Sequence, residues 1–312
     1  MPIPDLDPAF AAAVAEYDSF AADWIAGDPV ALRAAYAEAR KSLLPDVAPD
    51  CDITPFEAAR GARGLSFRPR GASGSAQSDQ AIVYFHGGSW LVGGPETHEV
   101  PCSHLAVESG LPVFSFRYRL APEHRFPAQR EDGVAAATAL LEGGVAELPA
   151  PRQIILAGDS AGAAVAFWTE AALPPALRAR LVGVLGFYGA YGHLPEGETG
   201  ELGSGVSSAE LLAAYKRLGP LDELLATPGF DIATSVPPDG PPCYLAVGDV
   251  DPLLIDSERV VAHLASLGRS CTLDVAPGLG HGYLHFIKRS AAALASFEKA
   301  VAWLRGLSGS SG

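Results

Sequence analysis

The sequence predicts an α/β protein: one largely parallel sheet with helices on both faces and a smaller helical layer above it. Two observations predict it. The runs AIVYF (81–85), QIILAG (153–158), LVGVLGFYG (181–189) and CYLAVGD (243–249) are continuously apolar, as strands buried on both sides must be. Between them lie stretches long enough for helices, and strand–helix alternation is the mark of parallel crossovers. With 312 residues, 48% hydrophobic and 19% charged, the chain can fill such a core and is not of the disordered type.

Residues 8–44 read as two helices divided at GDP (27–29), where Asp28-Pro29 suits a helix start. Residues 51–70 suggest two short strands about a glycine-containing turn, and GASGSAQSD (71–79) a polar loop. Strands follow at 81–85, 111–118, 153–158, 181–189, 243–249 and 271–277, with helices near 97–109, 131–142, 161–173, 256–267 and 289–305. Two pieces break the rhythm: the N-terminal helices and residues 192–240, which include a helical stretch near 207–218. A strand connection of that length usually covers a site. The expected organisation is a helical cap segment at 1–48, a catalytic domain at 49–307 with 192–240 contributing to the cap, and a flexible tail at 308–312.

The formal net charge of -14 disfavours a nucleic-acid partner. Cys51, Cys102, Cys243 and Cys271 form no CxxC pair, so neither a zinc site nor a redox dithiol is suggested. MPIPDLDPAF lacks the basic and apolar regions of a signal peptide, and no uninterrupted apolar run is long enough to span a membrane. A cytoplasmic protein is the expectation.

One stretch carries chemistry. In QIILAGDSAGAAV (153–165), Ser160 sits between Gly158 and Gly162 where a strand becomes a helix. A chain turning that sharply leaves no room for side chains two residues either side, while the turn residue projects outward as a nucleophile elbow. The helix beginning at Ala161 aims its N–H groups at the same point. A serine hydroxyl needs a base, and the base an orienting group. Of eight histidines, His281 in GLGHGYLHF falls after the last strand, where a loop can cross the carboxyl edge of the sheet; His285 is the runner-up, with apolar neighbours that suggest packing. The acid belongs after a strand between Ser160 and His281. YLAVGDVDPLL offers Asp249 and Asp251, and Pro252 favours Asp251 by restraining its backbone. The alternative role for an aspartate here is to cap the following helix, for which Asp256 is the better placed. Finally, His86-Gly87-Gly88-Ser89-Trp90 follows a strand directly, and its bared N–H groups, with that of Ala161, form the expected oxyanion hole: Gly87, Gly88 and Ala161.

Together HGGSW (86–90), YRLAPEHRFP (118–127), GDSAG (158–162), DPL (251–253) and HGY (281–283) resemble the motifs of the hormone-sensitive-lipase-like esterases, over roughly residues 50–305. The resemblance implies an α/β-hydrolase fold with a mostly parallel eight-stranded sheet and a helical cap. It also implies a triad of Ser160, Asp251 and His281, which decides between the two aspartates. Arg119 and Glu123 are expected to make buried polar contacts, and His86 to anchor its loop rather than act as a base. Ser89 replaces the third glycine of the family's loop, and GFYGAYG (186–192) departs from the usual segment. Ser89, Trp90, Asp159, Tyr188 and Leu253 adjoin these motifs and are the expected pocket residues. The resulting expectation is a carboxylesterase for small to medium acyl esters, with no cofactor and no metal, able to form a homodimer. Its rivals are amide or carbamate hydrolysis at the same site, and a non-catalytic receptor on a hydrolase scaffold.

Overall fold

Eight strands form one sheet in the order β1-β2-β4-β3-β5-β6-β7-β8 in a computed structural model that describes residues 6–17, 26–71, 79–143, 145, 150–194 and 207–308. They are β1 (Cys51–Glu57), β2 (Arg63–Pro69), β3 (Gln80–Phe85), β4 (Val113–Phe116), β5 (Gln153–Asp159), β6 (Leu181–Phe187), β7 (Cys243–Gly248) and β8 (Cys271–Ala276). β2 runs antiparallel to both β1 and β4, and the remaining neighbours are parallel. The sheet and fold class expected from the apolar runs are therefore present.

The helices are α1 (Pro8–Tyr17), α2 (Pro29–Arg40), α3 (Glu99–Ser109), α4 (Ala128–Gly143), α5 (Ala161–Ala172), α6 (Pro175–Arg178), α7 (Ser208–Leu218), α8 (Leu221–Ala226), α9 (Leu254–Ser266) and α10 (Ala291–Ser308). Alternate residues of one strand serve opposite cores: Ile82 and Tyr84 pack with α3 and α10, whereas Val83 and Phe85 pack with α4, α5 and α9. This double burial explains why the central strands read as unbroken apolar runs. α6 and α8 are too short for the sequence pattern to announce them.

Asp28 caps α2, its carboxylate accepting the N–H groups of Val30 and Ala31 at 3.0 and 2.9 Å. α1 packs into the body, Phe10 meeting Phe286 edge-on at 5.9 Å. α2 instead lays Leu32 and Tyr36 on Leu91 and Val92. α7 starts on a capping box between Ser207 and Glu210. Arg217 of α7 donates to the carbonyl of Gly27, joining the two pieces that broke the strand–helix rhythm. Most of GHLPEGETGELGSG, and all but the first residue of the expected tail, lie outside the described residues. Among the described residues no helix is long and apolar enough to cross a membrane.

Candidate active site

β5 ends at Asp159 and α5 begins at Ala161, so the chain reverses through one residue. That residue, Ser160, has φ 52 and ψ -122, a conformation that side chains rarely adopt and that costs on the order of 1–3 kcal/mol. Its N–H is held by the carbonyl of Phe187 at 2.8 Å, and its carbonyl by the N–H of Ala190 at 3.2 Å. The glycines either side are needed for space. A Cβ on Gly158 would lie 2.5 Å from the Gly162 carbonyl carbon, and one on Gly162 would lie 1.9 Å from the carbonyl oxygen of Phe85.

The other two groups arrive on loops from the same edge of the sheet. His281 Nε2 is 2.9 Å from Ser160 Oγ, and its Nδ1 is 3.0 Å from Asp251 Oδ2. Asp251 is fully buried and His281 nearly so, with a tenth of its side chain exposed. The second oxygen of Asp251 accepts the N–H of Leu253 at 2.8 Å, which fixes the carboxylate's orientation. Asp249 faces elsewhere and accepts the N–H of Gly278 at 2.7 Å. The histidine loop crosses β7 at Gly248, where a Cβ would stand 1.7 Å from the Leu279 carbonyl oxygen. The structure thus brings together the three residues that the sequence singled out, from positions far apart in the chain.

The loop after β3 departs from expectation at its first glycine. The N–H of Gly87 is shared between Asp159 Oδ1 at 3.0 Å and His98 Nε2 at 3.1 Å, so it faces inward and is not an oxyanion donor. Gly87 is a glycine because a Cβ there would lie 2.5 Å from Asp159 Oδ2. Gly88 and Ser89 follow with φ 112 and 56, and among the described residues no acceptor takes up their N–H groups. The N–H of Ala161 lies in the first turn of α5, where amides have no intrahelical partner. His86 anchors the loop as expected: its Nδ1 donates to the Gly87 carbonyl at 2.7 Å, its own carbonyl accepts the Tyr118 hydroxyl at 2.7 Å, and the two rings stack.

A family model described as alpha/beta hydrolase fold matches residues 82–285. The chain belongs to that family. An ethyl acetate hydrolase of Pseudomonas putida is 27% identical over 214 residues, which are 67% of this chain and 67% of that protein. Among solved structures, a hyperthermophilic esterase from the archaeon Pyrobaculum calidifontis has TM-score 0.83 at 22% identity, covering 97% of this chain and 99% of that one. An esterase of the bacterial hormone-sensitive lipase family has TM-score 0.79 at 23% identity, covering 96% and 98%. At those identities the two structures bear on the fold alone.

Within this α/β-hydrolase frame the expected pocket residues separate. Tyr188 places its ring edge-on to His281 at 4.9 Å, and Ser89 is partly exposed. Trp90 is fully buried against Trp168 and Tyr215. Leu253 is buried at the start of α9. Asp159 turns away from any open pocket. It is 2% exposed and accepts the Tyr84 hydroxyl at 2.7 Å as well as the Gly87 amide. Three further expectations are corrected. Arg119 and Glu123 are surface residues, Arg119 paired with Asp132 and Glu131 and Glu123 with Arg33. Arg33 is a residue the sequence reading missed; it also donates to the carbonyls of Leu91 and Ala121, tying α2 to the glycine loop. Asp256 does not cap α9, which starts two residues earlier; it accepts the N–H groups of Tyr191 at 2.5 Å and His193 at 3.3 Å. Burial pushes that carboxyl up to about 7.

Proposed function

We propose that this protein is a serine carboxylic-ester hydrolase acting on small to medium acyl esters. The observation that carries the reading is the unbroken line from Asp251 Oδ2 through both ring nitrogens of His281 to Ser160 Oγ, at 3.0 and 2.9 Å. Ser160 attacks the ester carbonyl as His281 Nε2 takes its proton, and Asp251 holds the Nδ1–H tautomer and stabilises the imidazolium. The oxyanion that forms is held by the N–H groups of Gly88, Ser89 and Ala161. His281 returns the proton to the leaving alcohol, then activates water to release the acid from Ser160. α2 and α7, linked through Arg217 and Gly27, act as the cap. The preference for small acyl groups is supported by Tyr188 against the His281 ring and by the buried Trp90–Tyr215 contact next to the glycine loop.

A p-nitrophenyl ester series from acetate to palmitate tests this. Turnover is expected to be greatest for the short chains, and Ser160→Ala to lower kcat about a million-fold. A fluorophosphonate is expected to label the wild type at Ser160. A folded wild-type protein that takes no label would be a receptor on this scaffold instead. Matched ester and amide substrates measured in parallel check the bond class: a faster amide reaction would assign amide hydrolysis to the same triad.

A further inference from the structure

The oxyanion loop and the nucleophile are carried by different strands, yet they must be registered to a fraction of an ångström. Asp159, the residue before Ser160, lies 2% exposed at the end of β5. One of its oxygens accepts the Tyr84 hydroxyl at 2.7 Å and the Gly87 N–H at 3.0 Å. Tyr84 belongs to β3, which leads into the loop, and Gly87 precedes Gly88, the first of the loop's free donors. His98 stands on the other side of the same amide. Its Nε2 is 3.1 Å from Gly87 N and 3.3 Å from Asp159 Oδ1, so amide, carboxylate and imidazole close a triangle. The His98 ring is itself fixed, because its Nδ1 pairs with the Thr97 hydroxyl at 2.9 Å, which in turn donates to the carbonyl of Gly94.

We propose that Asp159 and His98 are a positioning pair that orients the Gly87 peptide and thereby sets the Gly88 and Ser89 donors against Ser160. The inference rests on the hydrolase reading and adds residues that touch neither substrate nor the reacting atoms. The absence of a side chain on Gly87 lets the carboxylate approach, since a Cβ would stand 2.5 Å from Asp159 Oδ2. His285 closes the remaining side. Its Nε2 is 3.9 Å from Asp159 Oδ2, its ring meets that of His98 edge-on at 4.8 Å, and burial holds the imidazole far below its ordinary pKa. His98, Asp159 and His285 could be taken for metal ligands, since their ligand atoms lie within 4.8 Å of one another. However, the Gly87 N–H already lies on both His98 Nε2 and Asp159 Oδ1, so a cation there would have to displace the anchor of the loop.

The test measures kcat and KM of Asp159→Ala, Asp159→Asn and His98→Ala on a short p-nitrophenyl ester, with inhibition by an alkyl boronic acid, whose serine adduct places an oxygen in the oxyanion site. Asp159→Ala is expected to lower kcat about 100-fold with KM within about twofold, the size of effect that an ångström of misplacement produces. The boronate inhibition constant rises by the same factor as kcat/KM falls. Asp159→Asn retains an acceptor for the amide and recovers to within about tenfold of wild type, by the same reasoning. His98→Ala leaves the carboxylate in place and serves should Asp159→Ala fail to fold; it too lowers kcat rather than raising KM. The proposal is overturned by a loss confined to KM, by equal losses in the Ala and Asn variants, by boronate binding that does not follow kcat/KM, or by stoichiometric metal in the purified protein that His98→Ala releases. Ser160→Ala separates the two layers. If it still turns over ester, the hydrolase reading fails; if it is dead while Asp159→Ala and His98→Ala match wild type, only the positioning pair fails.

Discussion

Two glycine-bearing loops meet at the site, and their glycines answer different demands. In the elbow the demand is backbone on backbone: Gly158 faces Gly162, and Gly162 faces the carbonyl oxygen of Phe85, with no flexible atom to give way. In the loop after β3 the demand at Gly87 comes mainly from a side chain, the Asp159 carboxylate 2.5 Å from where a Cβ would be, with the Asp159 carbonyl oxygen behind it at 3.1 Å, and Gly87 has no left-handed backbone to protect. Gly88 differs again, with φ 112 and a carbonyl, that of Val92, 2.4 Å from where its Cβ would be. A glycine in a motif therefore does not declare what it makes room for. The elbow's glycines make room for the chain itself. Gly87 makes room for the carboxylate that holds the chain.

Substitutions should separate these demands, the elbow giving the larger effect. Gly162→Ala must move the end of β3 or the start of α5, and a cost of about 4 kcal/mol or more is expected by urea denaturation, enough to deplete the soluble fraction. Gly87→Ala meets a movable carboxylate, so the fold survives at a cost of about 1–3 kcal/mol. Its ester turnover falls, because the carboxylate can relieve the clash only by giving up the amide. In an Asp159→Ala background the same Gly87→Ala change should add less to both losses, leaving only the 3.1 Å approach to the backbone oxygen of residue 159, a departure from additivity that marks one shared contact. If Gly87→Ala proves as destabilising as Gly162→Ala, or if its effect is undiminished without Asp159, the distinction between the two loops is wrong.

Legibility divided along the same line. The central strands, buried on both faces, show as apolar runs, whereas the half-exposed β1 and β8 are legible only from short strand-like segments beside turns and helices. Ser160 and His281 are legible because the elbow motif and a glycine-flanked loop each follow a strand, and the hydrolase fold, not the reaction, sets the order Ser, Asp, His along the chain; the choice of Asp251 over Asp249 comes from the resemblance. What could not be read was which side chain reaches which. Asp159 is one letter from Ser160, and adjacency suggests the pocket, but β5 turns its carboxylate toward Tyr84 and Gly87. His98 gives no signal, being a single polar residue just before a helix that is buried on most of its surface. Arg119 and Glu123 sit in a distinctive block that the resemblance places inside, yet they pair at the surface, and Asp256, which suits a cap by sequence position, is a buried acceptor of the Tyr191 amide. His98, Arg119, Glu123 and Asp256 each pair with a group outside their own element, where periodicity carries no information.

The effect that is smallest near neutral pH and grows only with acid comes from His86, the side chain that steadies the same loop from the other direction. Burial first, and then the neighbouring His98, lower its imidazole from 6.5 to about 3. The folded protein therefore keeps His86 neutral over a range in which the unfolded chain binds a proton. Its contribution to stability is complete above about pH 6.5 and is lost as pH falls toward 3, with a slope of one proton, about 1.4 kcal/mol per pH unit. Buried His104 and His285 carry shifts of the same sign, so the wild-type curve alone does not isolate it. His86→Phe preserves a ring against Tyr118, which it stacks on at 4.3 Å, and removes the proton site. The difference in unfolding free energy between wild type and His86→Phe should be flat above pH 6.5 and shrink below it as the wild type loses its advantage. A difference that stays flat down to pH 4 would mean that His86 charges in place, its Nδ1–H still donating to the Gly87 carbonyl.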